Sequence, residues 1–322
     1  MHKSITLLIP AVVCLVTAQA LAGASDKEFS DYQGNVDKAL QAVLGELSPA
    51  GQKSLKDTQK RWANFVNEYC DPEVLDWHYN SADDCKNKYY ANRAKELETA
   101  VVKTAEGLVF RREEYFSTHM VDVSQNLEDG TPKYRTETRY GWPQIDNPVS
   151  DAQRAWNKLM SEKHPRDEPV EGKYCDDRSD YEIGLTSPDF ISIKLNDSMY
   201  CHGAPHGFGG TRSVNRILSE NRDIVPNDIF RDDTGWKNVL EKLSIESFEG
   251  QGKDEADYSR LKNEIANTTS WSILSDGLYI NFGELNGYAQ GEYIAKISWQ
   301  ELKPYLADKS SVMTAIHSAI PD

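Results

Sequence analysis

The sequence predicts an α+β fold, a small N-terminal helical domain with a disulfide followed by an α+β domain with a mainly antiparallel sheet and packed helices. Three observations predict it. Up to about residue 105 apolar residues recur at helical spacing. Past Gly107 the pattern changes to aromatic and β-branched residues alternating with polar ones, as in half-exposed strands. Later strand runs mix with separate helices instead of alternating strictly with them, which favours α+β over a parallel sheet.

The first helix is read from Val36, Ala39, Leu40, Val43, Leu44 and Leu47, an i, i+3, i+4, i+7 stripe that Gly45 interrupts near its end. Ser48-Pro49 offers an N-cap and an N1 proline for a second helix carrying Leu55, Trp62, Phe65, Val66 and Tyr69. Asp71-Pro72 stops it, because proline disfavours the α conformation just before it. After a polar loop to Cys85, a third helix carries Tyr89, Tyr90, Leu97, Ala100 and Val101. Strands are expected at 108–123, 133–142, 181–185, 191–195, 213–218 and 278–282. Helices are expected along Val149, Ala152, Trp156, Leu159 and Met160, near 237–243 and near 258–265.

The N-terminus reads as a cleaved signal peptide over residues 1–22. Lys3 precedes an apolar run from Ile5 to Val16, and Ala20-Leu21-Ala22 supplies a small-residue cleavage site before Gly23. The run is short for a bilayer, which needs about 20 apolar residues. Cys14 follows Val13, where a lipoprotein signal expects a small residue, so Cys14 is read as part of the apolar core. The domain boundaries that follow are 23–105 for the helical part and 106–322 for the α+β part. The expected location is periplasmic or secreted, with no membrane anchor after cleavage.

Net charge is −15, and removing residues 1–22 takes away only Lys3, giving −16. Such a field repels nucleic acid and anionic lipid and attracts basic partners, although solubility alone accounts for many acidic chains. Four cysteines remain beyond the signal: Cys70, Cys85, Cys175 and Cys201. An even number in an oxidising compartment suggests two disulfides, with three connectivities open. Because the first two lie in one local segment and the last two in another, Cys70 is paired with Cys85 and Cys175 with Cys201.

The sharpest local feature is Cys201-His202-Gly203-Ala204-Pro205-His206-Gly207-Phe208-Gly209-Gly210, a glycine-dense loop between two strand candidates. Its glycines and proline forbid the helix that would put both histidines on one face. No carboxylate stands at a spacing diagnostic of a catalytic zinc. A structural loop, a protein-binding loop and a metal or acid–base site are the three readings. There is no G-x-S-x-G, H-E-x-x-H, P-loop or dinucleotide fingerprint. The acid pairs Asp83-Asp84, Asp176-Asp177 and Asp232-Asp233 are read as solvated loop or cap residues rather than glycosidase carboxylates. Trp62 and Trp156 lie on apolar helix stripes and are read as core.

Residues 55–62 (Leu-Lys-Asp-Thr-Gln-Lys-Arg-Trp), followed by Tyr69-Cys70, Cys85, Arg93 and Leu97, resemble the N-terminal domain of LprI-type lysozyme inhibitors over about residues 30–105. Lys60 after Gln59 is a departure from that family's Gln-Arg-Trp pattern. The second half resembles the extracellular domain of RsiV-like anti-sigma factors, also found beside peptidoglycan deacetylases of the PdaC kind. Gly203-Ala204-Pro205-His206-Gly207, the stretch 224–230, residues 275–282, Tyr288-Ala289-Gln290-Gly291 and a helix starting near Trp299 carry that likeness. RsiV-like proteins bind lysozyme through this domain, so both resemblances imply a lysozyme-directed binding protein. The membrane span and sigma-binding segment of that family have no counterpart here, so binding is implied and signalling is not.

The expected function is therefore an exported periplasmic protein, not an enzyme and without a cofactor or metal, that captures and inhibits a lysozyme or related cell-wall hydrolase. The expected contact residues are His202, Pro205, His206 and Phe208 in the glycine loop, with Tyr288 and Gln290 in the later turn. Alternatives are a peptidoglycan-acting enzyme using His202 and His206, or a non-catalytic envelope-binding module with peptidoglycan as its partner.

Overall fold

The computed structural model describes residues 14–73, 79–105, 107–121, 134–163, 175–202, 204–253, 258, 261–285 and 292–320. It is α+β, as the sequence predicts. Three helices come first: α1 (Cys14–Leu44), α2 (Pro49–Tyr69) and α3 (Ala82–Glu98). The predicted leader falls in residues 1–13, outside the described residues, and in the opening turns of α1. No helix among the described residues is long and apolar enough to cross a membrane.

Ser48 caps α2 as expected, its Oγ accepting from Gly51 N at 3.1 Å, with Pro49 at the first helical position. The third helix ends at Glu98, one turn short of the predicted Val101. Val101 instead opens β1 (Val101–Lys103), pairing with Arg111. A β-branched pair has little helical preference to resist that pull. Val149 also lies outside its predicted helix, 78% exposed, because Ser150 caps α4 (Asp151–Glu162) one residue later.

The main sheet has seven strands in sequence order: β1, β2 (Val109–Val121), β3 (Tyr134–Ile145), β4 (Cys175–Ser187), β5 (Phe190–Cys201), β6 (Phe208–Ile217) and β7 (Arg222–Asp223). Every neighbouring pair is antiparallel except β3 and β4, which run parallel with α4 in the connection between them. Parallel neighbours need such a crossover, whereas antiparallel neighbours do not. Asp176 and Asp177, expected in a loop, belong to β4, where they pair with Tyr200 and Met199.

The C-terminal third adds a three-stranded antiparallel sheet, β8 (Trp271–Ile273), β9 (Gly277–Asn281) and β10 (Ile294–Ser298). α5 (Trp236–Gly250) and α7 (Trp299–Leu302) pack on β10, α6 (Leu261–Glu264) packs on α5, and α8 (Ser311–Ala319) lies against β4 and β5 of the main sheet. The largest apolar cluster joins this layer to β5 and β6 through Phe190, Ile217, Trp236, Phe248, Trp271 and Phe282. A second cluster seats Trp156 and Met160 of α4 against Trp142, Ile193 and Val214. Each such side chain removed from water stabilises the fold by roughly 1.5–3 kcal/mol. Trp62 and Trp156 are both core, at 1% exposure.

Both predicted disulfides are present, Cys70–Cys85 and Cys175–Cys201, spanning 15 and 26 residues. By chain entropy each is worth about 3 kcal/mol. The first sits in a cluster where Trp62, Phe65, Tyr69 and Tyr89 pack on Phe116 of β2. That cluster seats the helices on the sheet.

Candidate site at the hairpin end of the sheet

Strand directions bring chosen residues to one end of the main sheet. β5 runs towards it and β6 away from it, paired from Met199↔Phe208 to Phe190↔Ile217. β4 starts there at Cys175, and β2 ends there just past Met120. The connection between Cys201 and Phe208 is therefore the tip of a long β-hairpin. Ala204 N donates to Cys201 O at 2.9 Å, turning the chain back at once. Gly207 is required for close approach, since a Cβ there would stand 2.9 Å from Met199 O.

The sequence-predicted contact residues divide unevenly between buried and exposed positions. Phe208 is 59% exposed, and Pro205 is also exposed. The His206 ring meets Phe208 edge-on at 5.5 Å, while its Nδ1 lies 3.1 Å from Gly207 O. His202 turns the other way: its side chain is only 12% exposed, with Nε2 at 3.3 Å from Asp176 Oδ2. It also packs on the Tyr200 ring at 5.6 Å. The two histidines thus have separate partners. Among the described residues no group of three or more His, Cys, Asp or Glu is placed to hold a metal ion.

Paired residues share a face of a sheet and neighbours alternate. Tyr200 pairs with Asp176 and Phe208 pairs with Met199, so the hairpin presents one aromatic on each face. Tyr200 is 37% exposed, and Met120 adds another large apolar side chain, 44% exposed, at the same end. Neither was expected as a site residue. The predicted Cys175–Cys201 bond could have pointed to the Asp176–His202 contact, because each residue directly follows one of the bonded cysteines.

Acid groups surround the tip. Asp176 accepts from Glu137 N at 2.8 Å, Asp177 accepts from Tyr140 Oη at 2.6 Å, and Asp197 accepts from Arg212 Nε at 2.9 Å. Burial first, then its bond to Asp177, pushes the Tyr140 phenol above its ordinary range.

Tyr288 and Gln290 lie outside the described residues. The flanks of their segment meet β6: Asn281 Nδ2 donates to Thr211 O at 3.1 Å, and Thr211 Oγ1 lies 3.4 Å from Glu292 Oε1. Thr211 is three residues along β6 from Phe208.

The helical motif has a different role. Gln59 Oε1 accepts from Arg93 Nε at 3.0 Å, and the Arg93 guanidinium lies over Trp62 at 5.5 Å, all against the sheet. These residues join the helices to the sheet instead of presenting an open surface.

No family model matches the chain, and no curated protein sequence matches it. Among solved structures, the fold is similar to a member of the DUF3298 family from Bacteroides fragilis, at 14% identity and a TM-score of 0.43, covering 65% of this chain and 98% of that one. It is also similar to a DUF3298 family protein from Pseudomonas aeruginosa PAO1, at 10% identity and a TM-score of 0.39, covering 62% of this chain and 95% of that one.

Proposed function

We propose that this is an exported envelope protein that captures a basic cell-wall hydrolase, a lysozyme or close relative, and blocks its cleft with the β5–β6 hairpin. The observation that carries this reading is the hairpin itself, with Phe208 and Tyr200 exposed on opposite faces of a tip held by a disulfide. A rigid strand pair lowers the ordering cost of binding, and exposed aromatics with adjacent polar groups suit a contact centre. The net charge of −15 favours a cationic partner. Two disulfides suit an oxidising compartment, in keeping with a periplasmic or secreted location. The resemblances to LprI-type and RsiV-like domains point the same way.

The test is inhibition of lysozyme on cell-wall substrate by the purified, oxidised protein, with association followed against salt. Charge steering predicts that raising ionic strength slows association much more than it speeds dissociation, because screening acts beyond a Debye length of about 8–10 Å. No binding to any lysozyme class at low salt would remove this reading and leave a non-catalytic envelope module. The Asp176–His202 pair is the one observation favouring an enzyme. Cell-wall hydrolysis or deacetylation by the purified protein, abolished in His202→Ala, would establish that alternative.

A further inference from the structure

We propose that Cys175–Cys201 is a redox clasp: a dithiol reductant opens it selectively and loosens the β5–β6 hairpin, leaving Cys70–Cys85 closed. The two bonds differ in accessibility. Cys70 and Cys85 are fully buried under Tyr69 and Tyr89, whereas Cys175 and Cys201 are both partly exposed at the sheet end. Exchange requires a thiolate to reach a sulfur, and exposed disulfides are the labile ones.

Position gives the bond its consequence. Cys175 and Cys201 face each other as the terminal pair of the β4–β5 ladder, directly before the hairpin tip. The next residues, Asp176 and His202, make the contact that turns His202 inward, and the Cys201 carbonyl accepts from Ala204 N. β4 is in turn the strand that ties β5 to β3. Opening the bond frees this last pair to fray, and with it the tip.

The chemistry balances with a dithiol. One reductant thiolate attacks a cysteine sulfur, the S–S bond breaks, and the second cysteine leaves as a thiolate that takes up a proton. The second reductant thiol then resolves the mixed disulfide and releases the first cysteine. The dithiol becomes a disulfide, and two electrons and two protons pass to the cysteine pair.

The experiment titrates the full oxidised chain with dithiothreitol, traps free thiols by alkylation and maps them, then measures amide hydrogen exchange. Cys175 and Cys201 should be labelled at least about tenfold faster than Cys70 and Cys85, and exchange over 199–210 should rise by about tenfold while α2 and α3 keep their protection. The variant Cys175→Ser/Cys201→Ser should show the same fast exchange without reductant. Simultaneous opening of both disulfides, or unchanged hairpin exchange after opening Cys175–Cys201, overturns the proposal. Any effect on partner capture rests on the function proposed above. The exchange readout needs no partner, so the two ideas fail separately.

Discussion

Arg93 Nη1 on α3 stands 2.6 Å from Glu114 Oε2 on β2, with the two side chains 1% and 2% exposed. This pair joins the helical layer to the sheet. Arg93 also donates to Gln59 and lies over the Trp62 and Phe116 rings, while Glu114 takes a second bond from Arg112 Nε at 2.8 Å. Arg112 continues to Asp180 on β4, and Arg139 pairs with Glu96 on α3. A buried pair is weak evidence for net stability, but breaking one leaves an uncompensated charge out of water.

Replacing Glu114 with Ala should therefore destabilise the protein by roughly 3–5 kcal/mol in denaturant titration, and Arg93→Ala by a similar amount. The double variant should lose much less than the sum. Additive losses in this double-mutant cycle would show that the two groups are not coupled.

The same carboxylate sets an acid response. Burial alone would raise the Glu114 pKa, but Arg93, then Arg112 and Arg139, overcome it and hold it down to about 2, against an ordinary 4.5. The folded state thus binds the proton less readily than the unfolded state. The resulting stability is complete above pH 4.5 and disappears as pH falls towards 2. Denaturant midpoints measured across this window should fall for the wild type and fall less steeply for Glu114→Gln.

Much of the fold is legible in the sequence because local signals coincide with tertiary demands. The Ser48-Pro49 cap and the stripe Leu55, Trp62, Phe65, Val66, Tyr69 specify one buried helix face, and all five side chains are buried. Local cysteine spacing sufficed for both disulfides. The final layer is less legible. No expected element covers β10 (Ile294–Ser298) or the nine-residue α8, whereas β9, as short as β10, falls on the strand expected at 278–282. Val101 illustrates tertiary override, since pairing with Arg111 decides its state. At the site, His202, His206 and Phe208 stand out by residue type and glycine context. Met120 joins that end only through strand directions, which no local pattern contains.

Gly184 is another case where long-range packing fixes a residue. It sits in the β4 irregularity between Ile183 and Thr186, and a Cβ there would come within 2.4 Å of Ile273 O on β8. The obstacle is backbone, so it cannot rotate away. Gly184→Ala should cost about 1–3 kcal/mol, read as a lowered melting temperature. A variant as stable as the wild type would show that the two sheets separate readily.

Phe208 separates binding from folding at the candidate site. Its ring is mostly in water and packs edge-on against the half-buried His206, so Phe208→Ala should change stability by no more than about 0.5 kcal/mol. In a hydrolase complex centred on the hairpin the same truncation should cost 1 kcal/mol or more, appearing as an off-rate raised about fivefold. Tyr200→Ala should behave in the same way if the hairpin enters a cleft, because both faces would then be covered. A partner that covers one face only would respond to one variant and ignore the other. Asp176→Asn is the contrasting case, since it leaves both aromatics in place and weakens the contact that turns His202 inward. Its effect should appear as faster hydrogen exchange at the tip together with weaker binding. Melting temperature, exchange and off-rate measured on the three variants distinguish contact from support. If Phe208→Ala and Tyr200→Ala both leave the off-rate of a lysozyme complex unchanged, the hairpin is not the contact surface.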